Sequence, residues 1–419
     1  MAATPVDSLP SQTVTVTGYS SEGDGVARLG DGRVVFIRNA ARGDVLEVEL
    51  TDIQPRSARA DIVRIIAPSP YRIEPGCPVY PECGGCDFRH ITYEEELDAK
   101  LRRLNDALER IGGLSVKAGR ILRTGQVEGY RNKAVFHSDG QSLGFYKSRS
   151  HEVVRIGRCP LLKDELNEAL RSLTPEGDIT LRSGRNGVGV SSDSRTAGGD
   201  ITLRSGRNGV SVSAGSRTAG GDITLRPGRN VPVPQLEEEL EGLIFRISGF
   251  FQVNTGAALL LYQKAREYAA LSREDTLIDL YCGVGTLTLF VGRDAGHALG
   301  VELDSSAVKA ARENARLNDL PHIQFIKADA ADWDADVGSP DYIIADPPRR
   351  GLAPGVVRKI IELSPKRIVY ISCDPATLAR DLRAFGGYSV KDICAVDMFP
   401  RTANVECCCL LAKTGSRRR

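Results

Sequence analysis

The first sixty-odd residues alternate polar and apolar side chains in short runs: TVTVTGY at 13–19, RVVFIRN at 33–39 and DVLEVEL at 44–50. The glycine-bearing polar stretches SSEGDG, LGDG and AARGD separate them. Successive strand residues face opposite ways, so a period of two predicts half-buried strands joined by tight turns. The whole reads as a small antiparallel barrel of the OB type over residues 1–67. Such barrels either bind single-stranded nucleic acid on an open face or serve as purely structural modules. APSPYRIEPG at 67–76, with its prolines and glycine, closes this first domain.

The last third has a different rhythm. Apolar runs (LIDLYCGVG, HALGVELD, YIIADPP, RIVYISCD and NVECCCLL) alternate with helical spacing. Strands covered by helices on both faces read this way, which predicts a parallel, doubly wound α/β sheet over 249–415. Ligands of such sheets bind beyond the carboxyl ends of the strands, where Asp279, Gly283, Gly285, Glu302, Asp346 and Cys373 stand. In DLYCGVGTLT the glycines let the backbone approach a ligand closely, and Glu302, ending the next strand, is placed to take two ribose hydroxyls. A dinucleotide site would look similar, but Thr288 occupies the third glycine position of GxGxxG. A methyl-donor site needs only the shorter GxG with acidic groups such as Asp279, Glu302, Asp329 and the DPP at 346–348. The competing reading makes Glu302 a charge at a helix N-terminus.

Between these regions, 68–248, the chain repeats itself. GDITLRSGRNG begins at Gly177 and again at Gly199, and GDITLRPGRN begins at Gly221. Three successive hairpins across 177–230 are the simplest expectation. Their arginines either form a basic ladder for phosphates or, as the simpler account, belong to a duplication tolerated in an exposed loop.

At 419 residues, 41% hydrophobic and 26% charged, the chain is long enough for two or three real cores. A net charge of +1 carries no global polyelectrolyte signal, so nucleic-acid contact must come from local patches such as KLRRL at 100–104. The start, MAATPVDSLP, has no basic segment followed by an apolar one, and no run approaches the length of a membrane span. A cytoplasmic, reduced protein is expected, its ten cysteines being buried thiols, metal ligands or nucleophiles. Cys77, Cys83 and Cys86 in CPVYPECGGCDFRH have ligand-like spacing, with Cys159 in GRCPLL as a distant fourth. One CxxC with a leading cysteine is compatible with a four-cysteine iron-sulfur cluster, but spacing alone does not choose the metal. NVECCCLL poses the opposite case. Along a strand Cys407 and Cys409 face one way and Cys408 the other with Glu406, so one ion cannot collect all three, and packing suits them. Glu406 is the costly residue there.

FFQVN at 250–254, DLYCGVGTLTL, DPPRRGL at 346–352, YISCDPATLARDL at 370–382 and DMFPRTANVE at 397–406, together with CGGC and the late GRCPLL, make the chain resemble the TRAM-domain RNA 5-methyluridine methyltransferases over nearly its whole length. The resemblance implies a Rossmann-like methyltransferase sheet, an RNA-binding barrel and a central iron-sulfur domain. It implies S-adenosylmethionine as cofactor and a [4Fe-4S] cluster held by Cys77, Cys83, Cys86 and Cys159. Gln252, Tyr281, Gly283, Glu302 and Asp346 would line the cofactor and methyl-transfer site, with Asp329 reaching the adenine. Two features depart from the family pattern: Asn404 stands where histidine is common, and the 22-residue units are extra.

The chemistry can be argued from the residues. Carbon 5 of uridine is a poor nucleophile until a thiolate adds at carbon 6, for which Cys373 is the candidate. After methyl transfer a base must remove the carbon-5 proton, and Glu406 is the candidate. The target must be turned out of its stack, so a structured RNA loop is the expected partner, 23S ribosomal RNA ahead of a tRNA loop, acted on by a monomer with no membrane partner. Two rivals use the same features differently. An amino-group methyltransferase would carry an aromatic after the prolines, where Arg349 stands, and would not need Cys373. A non-catalytic RNA-binding metalloprotein would show no saturable affinity for the methyl donor.

Overall fold

A computed structural model describes residues 11–173, 177–192, 201–204, 222–225, 236–247, 249–334 and 339–414. The chain divides into two compact units, Met1–Arg103 with Arg401–Asn404, and Leu104–Pro400 with Val405–Arg419.

In the first unit the alternating runs form one six-stranded sheet, in the order Gln12–Thr15, Val45–Ile53, Ser57–Ala67, Val34–Ile37, Gly25–Arg28 and Gly18–Tyr19. The inward set of the period-two pattern, Val14, Ala27, Val35, Ile37, Leu46 and Val48, is its core. One pairing departs from an all-antiparallel sheet: Val34–Ile37 runs parallel to Ser57–Ala67. The intervening strand Val45–Ile53 reverses the chain once and the next turn reverses it again. Asp44, fully buried, locks the exit by accepting from the amides of Ala41 and Ser69 and from the Arg72 guanidinium at 2.6–2.8 Å. The proline-rich segment after residue 67 is therefore pinned at Ser69 and Arg72.

The KLRRL patch is already spoken for. Lys100 is buried and bonded to Glu96 at 2.7 Å, Arg102 pairs with Asp98, and Arg103 donates to the Ala403 carbonyl at 3.0 Å. Glu96 also accepts from the Arg401 amide, and Asp87 accepts from the Ala403 amide while its own amide donates to the Arg401 carbonyl.

The second unit holds two larger sheets. The smaller has five antiparallel strands in the order Val153–Arg155, Leu143–Tyr146, Lys133–Ser138, Ile179–Gly184 and Gly187–Ser192. Its last two strands are the first repeat unit, a hairpin as expected. It is not filler, however: Ile179 and Leu181 are fully buried and Val188 and Val190 nearly so. The reading of this copy as a duplication lying in an exposed loop is thereby corrected. Ser183 donates its amide to the Asn132 carbonyl at 2.8 Å, a bond the third copy could not make because Pro227 stands at the equivalent place. Of the other copies, Ile201–Arg204 and Asp222–Leu225 pair antiparallel as a separate two-stranded sheet, and the remaining repeat residues expected as hairpins lie outside the described residues.

The larger sheet has eight strands, ordered Ile323–Lys327, His297–Glu302, Thr276–Leu280, Tyr342–Ala345, Arg367–Ser372, Glu406–Lys413, Tyr388–Val396 and Ile121–Leu122. The first five are parallel, and the helices Thr255–Ala269, Thr286–Gly292, Ser305–Leu317, Pro354–Leu363 and Pro375–Leu382 follow in the same unit. Leu277, Ile344, Val369 and Ile371 pack with Phe290, Ala311 and Ala265 into a single core. The expected all-parallel sheet is modified at one side, because Glu406–Lys413 runs antiparallel to both neighbours. No helix separates it from Tyr388–Val396, and a short connection can only reverse the chain. Cys407, Cys408 and Cys409 are all fully buried in this strand, as packing requires. Among the described residues no helix is long and apolar enough to cross a membrane.

Candidate active site

The strand order reverses between Thr276–Leu280 and Tyr342–Ala345, so their carboxyl ends open a crevice at a switch point. Asp279 and Asp346 stand on its two sides. The loop leaving the first strand has Tyr281, Gly283 and Gly285 all at positive φ, of 65°, 54° and 83°. At Gly285 a side chain would strike Phe325 and Ala311, so only glycine fits; at Gly283 the space is open, and a ligand can approach the backbone there. Tyr281 adopts this conformation with a full side chain, held by the amides of Tyr281 and Cys282 donating to the Val301 carbonyl.

Glu302 folds back on this loop. Its carboxylate accepts from the Gly283 amide at 3.0 Å and the Asp304 amide at 2.9 Å, leaving each oxygen a lone pair for a hydroxyl donor. The following helix is capped by Asp304, which accepts from the amides of Ser306 and Ala307. The helix-terminus account of Glu302 is therefore displaced. Thr288, where a dinucleotide motif has glycine, donates its hydroxyl to Asp279 Oδ2 at 2.6 Å. The other oxygen of Asp279 is buried without a partner, and burial pushes this carboxyl up to about 8. An orphaned acceptor beside an open glycine fits a ligand that brings a cationic or hydrogen-bonding group. Asp329, exposed after the Ile323–Lys327 strand, accepts from the Ala331 amide and lies within the field of Tyr281.

The antiparallel strand supplies the other half. Register pairs Ser372 with Cys407, so Cys373 and Glu406 are next to each other at the same edge, although they approach it along opposite chain directions. Glu406 is buried and pushed up to about 8, by desolvation first and then by Asp346, with Arg349 pulling the other way. Desolvation raises Asp346 to about 6. The Cys373 thiol is half-buried and raised to about 11 by burial, then by Glu406, with Arg349 opposing and Asp346 adding. Asp374 caps the next helix through the Thr377 amide and fixes the turn that carries Cys373. Cys373, Glu406, Asp346 and Arg349 thus form one electrostatic cluster. Cys282, by contrast, is buried, and its thiol is held well above the ordinary range by desolvation.

Gln252 is buried in the Gly249–Asn254 loop, which three side chains clamp. Asn132 donates to the Gln252 carbonyl at 3.1 Å and to Thr255 at 3.0 Å. Asn254 caps Thr255–Ala269 and donates to the Met398 carbonyl at 3.1 Å. Arg182, buried at the centre of the first repeat, donates to the Phe251 carbonyl at 2.9 Å and lies 5.5 Å over its ring. Asn132, Arg182 and Tyr262 escape a reading by motif because only tertiary contacts bring them here. Tyr262 packs on Phe290 and is raised above its ordinary range by burial and by Asp346, Asp279 and Glu406, so its hydroxyl belongs to the same carboxylate-rich crevice.

The proposed cluster ligands behave differently. Cys77, Cys83 and Cys86 lie in the first unit and Cys159 in the second, so the expected set draws on both. The CGGC turn is closed by the Tyr80 amide to the Cys77 carbonyl, the Cys83 amide to the Val79 carbonyl, and the Gly85 amide to Cys83 Sγ at 3.4 Å. His90, four residues beyond Cys86, is buried, meets the Tyr80 hydroxyl at 2.6 Å through Nδ1 and is lowered to about 4 by burial. The [4Fe-4S] cluster rests on the cysteine spacing and the family resemblance alone, and no step is drawn through it.

Residues 11–63 match the TRAM domain, 249–369 the methyltransferase small domain, and 336–414 the family described as tRNA (Uracil-5-)-methyltransferase. An uncharacterized RNA methyltransferase of Gloeobacter violaceus is 34% identical over 447 residues, covering 97% of this chain and 98% of that protein. One from a Synechocystis species is 32% identical over 439 residues, covering 95% of each. A tRNA (uracil-54, C5)-methyltransferase of Pyrococcus abyssi, solved in complex with S-adenosyl-L-homocysteine, superposes with a TM-score of 0.70 over 96% of this chain and 100% of that one. At 23% identity that likeness is one of fold.

Proposed function

Because the chain belongs to the TRAM-domain RNA (uracil-5-)-methyltransferase family, we propose that it transfers a methyl group from S-adenosylmethionine to carbon 5 of a uridine in structured RNA, through a covalent adduct with Cys373. The observation that carries this reading is the register of Glu406–Lys413, which sets a thiol and a buried carboxyl side by side at the mouth of the switch-point crevice. An amino-group methyltransferase has no use for that pair.

The roles follow from the chemistry of the groups. The cofactor, when bound, supplies an electrophilic methyl on a sulfonium. Glu302 takes ribose hydroxyls, the open backbone at Gly283 admits the cofactor, Asp279 receives a cationic group, and Asp329 accepts from the adenine. Cys373 Sγ adds to carbon 6 of the uracil, moving charge onto the ring so that carbon 5 becomes nucleophilic. With the thiol raised to about 11 little thiolate is present at rest, and Arg349 is the local cation that favours it. Glu406 then takes the proton from carbon 5, and the carbon-sulfur bond breaks as the double bond re-forms. A carboxyl raised to about 8 is a far stronger base than an exposed one, which suits a carbon acid. Gln252 and Asp346 hold the polar edge of the base. The RNA to test first is 23S ribosomal RNA, then tRNA.

The test is mass spectrometry of nucleosides from RNA incubated with the protein and a methyl-deuterated cofactor. Labelled 5-methyluridine is expected, and digestion maps its position. Label on an exocyclic amine, or none, would sink the reading.

A second expectation concerns cofactor binding and pH. Asp279 has a folded pKa above its unfolded one, so its contribution to the stability of the ligand-free fold is fully present below about 4 and is lost as pH rises through about 8. A cationic ligand reverses the preference by favouring the ionised carboxylate. Affinity for S-adenosylmethionine should therefore rise as pH goes from about 6 to about 8, with proton release on binding. Calorimetry in two buffers of different ionisation heat measures that release. Asp279→Asn should remove most of it; an unchanged release would take Asp279 out of the cofactor site.

A further inference from the structure

The five-stranded sheet turns one face outward, and that face carries a ring stack which methyl transfer does not use. Along Lys133–Ser138, Ala134 and Phe136 point into the core, while Lys133, Val135 and His137 point out. The His137 ring lies parallel to Tyr146, with centroids 3.7 Å apart and planes 9° apart, and His151 meets Tyr146 edge-on at 5.2 Å. Asp178 holds the stack in place: Oδ2 meets His137 Nδ1 at 2.8 Å and Oδ1 accepts from the Ser138 amide at 3.0 Å. Val135, apolar and 42% exposed, extends the same face.

Apart from Asp178, the charged groups along this face are cations: Lys133 and Arg155. Arg155 pairs in register with Gly144, which faces His137, and is exposed. At the other end Lys133 pairs with Arg182 and is held below its ordinary pKa by burial and by the charges of Arg182 and Arg131. Arg182 is the residue that grips Phe251, whose neighbour Phe250 is 74% exposed beside Gln252. The face therefore starts at the loop proposed to line the methyl-transfer site. It passes Lys133 and Val135 and reaches the ring stack after four residues, roughly 13 Å along the strand.

We propose that Tyr146 and His137 form a platform on which an unpaired RNA base, distinct from the methylated uridine, stacks, while Lys133 and Arg155 meet the flanking phosphates. The proposal rests on RNA being the substrate. Every base has a π face, so such a platform holds a strand without reading its sequence, and rings already ordered by Asp178 lose little freedom on binding. An aliphatic peptide would find Val135 here, flanked by Lys133 and His137 on the same strand.

The test uses fluorescence anisotropy with an end-labelled single-stranded RNA containing uridine, at several salt concentrations. Tyr146→Leu keeps bulk but not the π face and should weaken binding roughly tenfold, with Tyr146→Phe binding as the unsubstituted protein does. The slope of log affinity against log salt should be unchanged in Tyr146→Leu and reduced by about 0.7 in Lys133→Gln. In methyl transfer, Tyr146→Leu should raise KM for RNA by a similar factor at constant kcat. Cofactor affinity reports that each variant is folded. Affinity of Tyr146→Leu within twofold of the unsubstituted protein, or equal losses for Leu and Phe, would overturn the platform. A weakened Tyr146→Leu in a protein that methylates no uridine leaves the platform standing and removes the carbon-5 reading; normal uridine methylation with a silent Tyr146→Leu does the reverse.

Discussion

Glu406→Gln should accumulate a protein-RNA adduct that carries the labelled methyl group on a denaturing gel, and Cys373→Ala should form none. The two side chains sit together at one sheet edge but act on opposite sides of methyl transfer. With no thiol, nothing adds to carbon 6 and carbon 5 stays inert, so Cys373→Ala should lose on the order of 10⁴-fold or more of turnover, as removal of a covalent nucleophile does elsewhere. Glutamine preserves the shape of Glu406 and removes the base. Addition and methyl transfer then proceed while the carbon-5 proton stays, and elimination slows by roughly 10²–10⁴-fold. The substitution also removes the largest charge that raises the Cys373 pKa, so thiolate formation should become easier in Glu406→Gln. Its adduct should thus form at a lower pH than a pKa of about 11 would suggest. Normal turnover by Glu406→Gln would take this carboxyl out of the mechanism. A labelled adduct with Cys373→Ala would move the nucleophile elsewhere, though Cys282 is a poor substitute because it is buried and desolvation holds its thiol well above the ordinary range.

Much of this architecture was legible in residue patterns, for reasons particular residues show. Val14, Val35, Ile37, Leu46 and Val48 obey the period of two because one side of the N-terminal sheet faces water. The runs at 277–280, 298–301 and 343–345 show no polar-apolar alternation because every position in them is buried, the strands being covered on both faces. The neighbouring positions of Cys373 and Glu406 were not legible that way. They depend on one strand running backwards through a parallel sheet, and nothing in NVECCCLL encodes its direction; only the absence of a helix after Tyr388–Val396 does. The clamps on the Gln252 loop were hidden for another reason. Asn132 and Arg182 reach it across 120 and 69 residues of chain, and each looks ordinary in its own segment.

Repetition misled in the most instructive way, since identical sequence copies need not occupy equivalent places. The first copy supplies two strands whose buried side chains, Ile179, Leu181, Val188 and Val190, contribute roughly 6–12 kcal/mol by burial, comparable with the whole stability of a domain. Removing residues 177–198 should nevertheless be tolerated. The deletion joins Glu176 to Gly199, and the residues that follow, GDITLRSGRNGVSV, restore Ile201, Leu203, Arg204 and Ser205 to the places of Ile179, Leu181, Arg182 and Ser183. The third copy cannot serve in the same way, because Pro227 lacks the amide that Ser183 donates to Asn132.

This gives a sharp expectation for Arg182. Arg182→Met should lower kcat/KM by roughly 10–100-fold, since it removes a buried, charged donor from the Phe251 carbonyl and loosens the loop that carries Gln252. Most of that loss should fall on kcat rather than on cofactor affinity. Deleting residues 177–198 from the Arg182→Met protein should restore activity, with Arg204 taking over the clamp, and the same deletion in an Arg182→Met, Arg204→Met protein should not. Steady-state methyl transfer, with urea unfolding as the measure of fold, distinguishes the outcomes. Failure of the deletion to rescue a folded Arg182→Met protein would mean that the copies are not interchangeable. Full activity of Arg182→Met itself would show that the Gln252 loop holds its shape without the clamp.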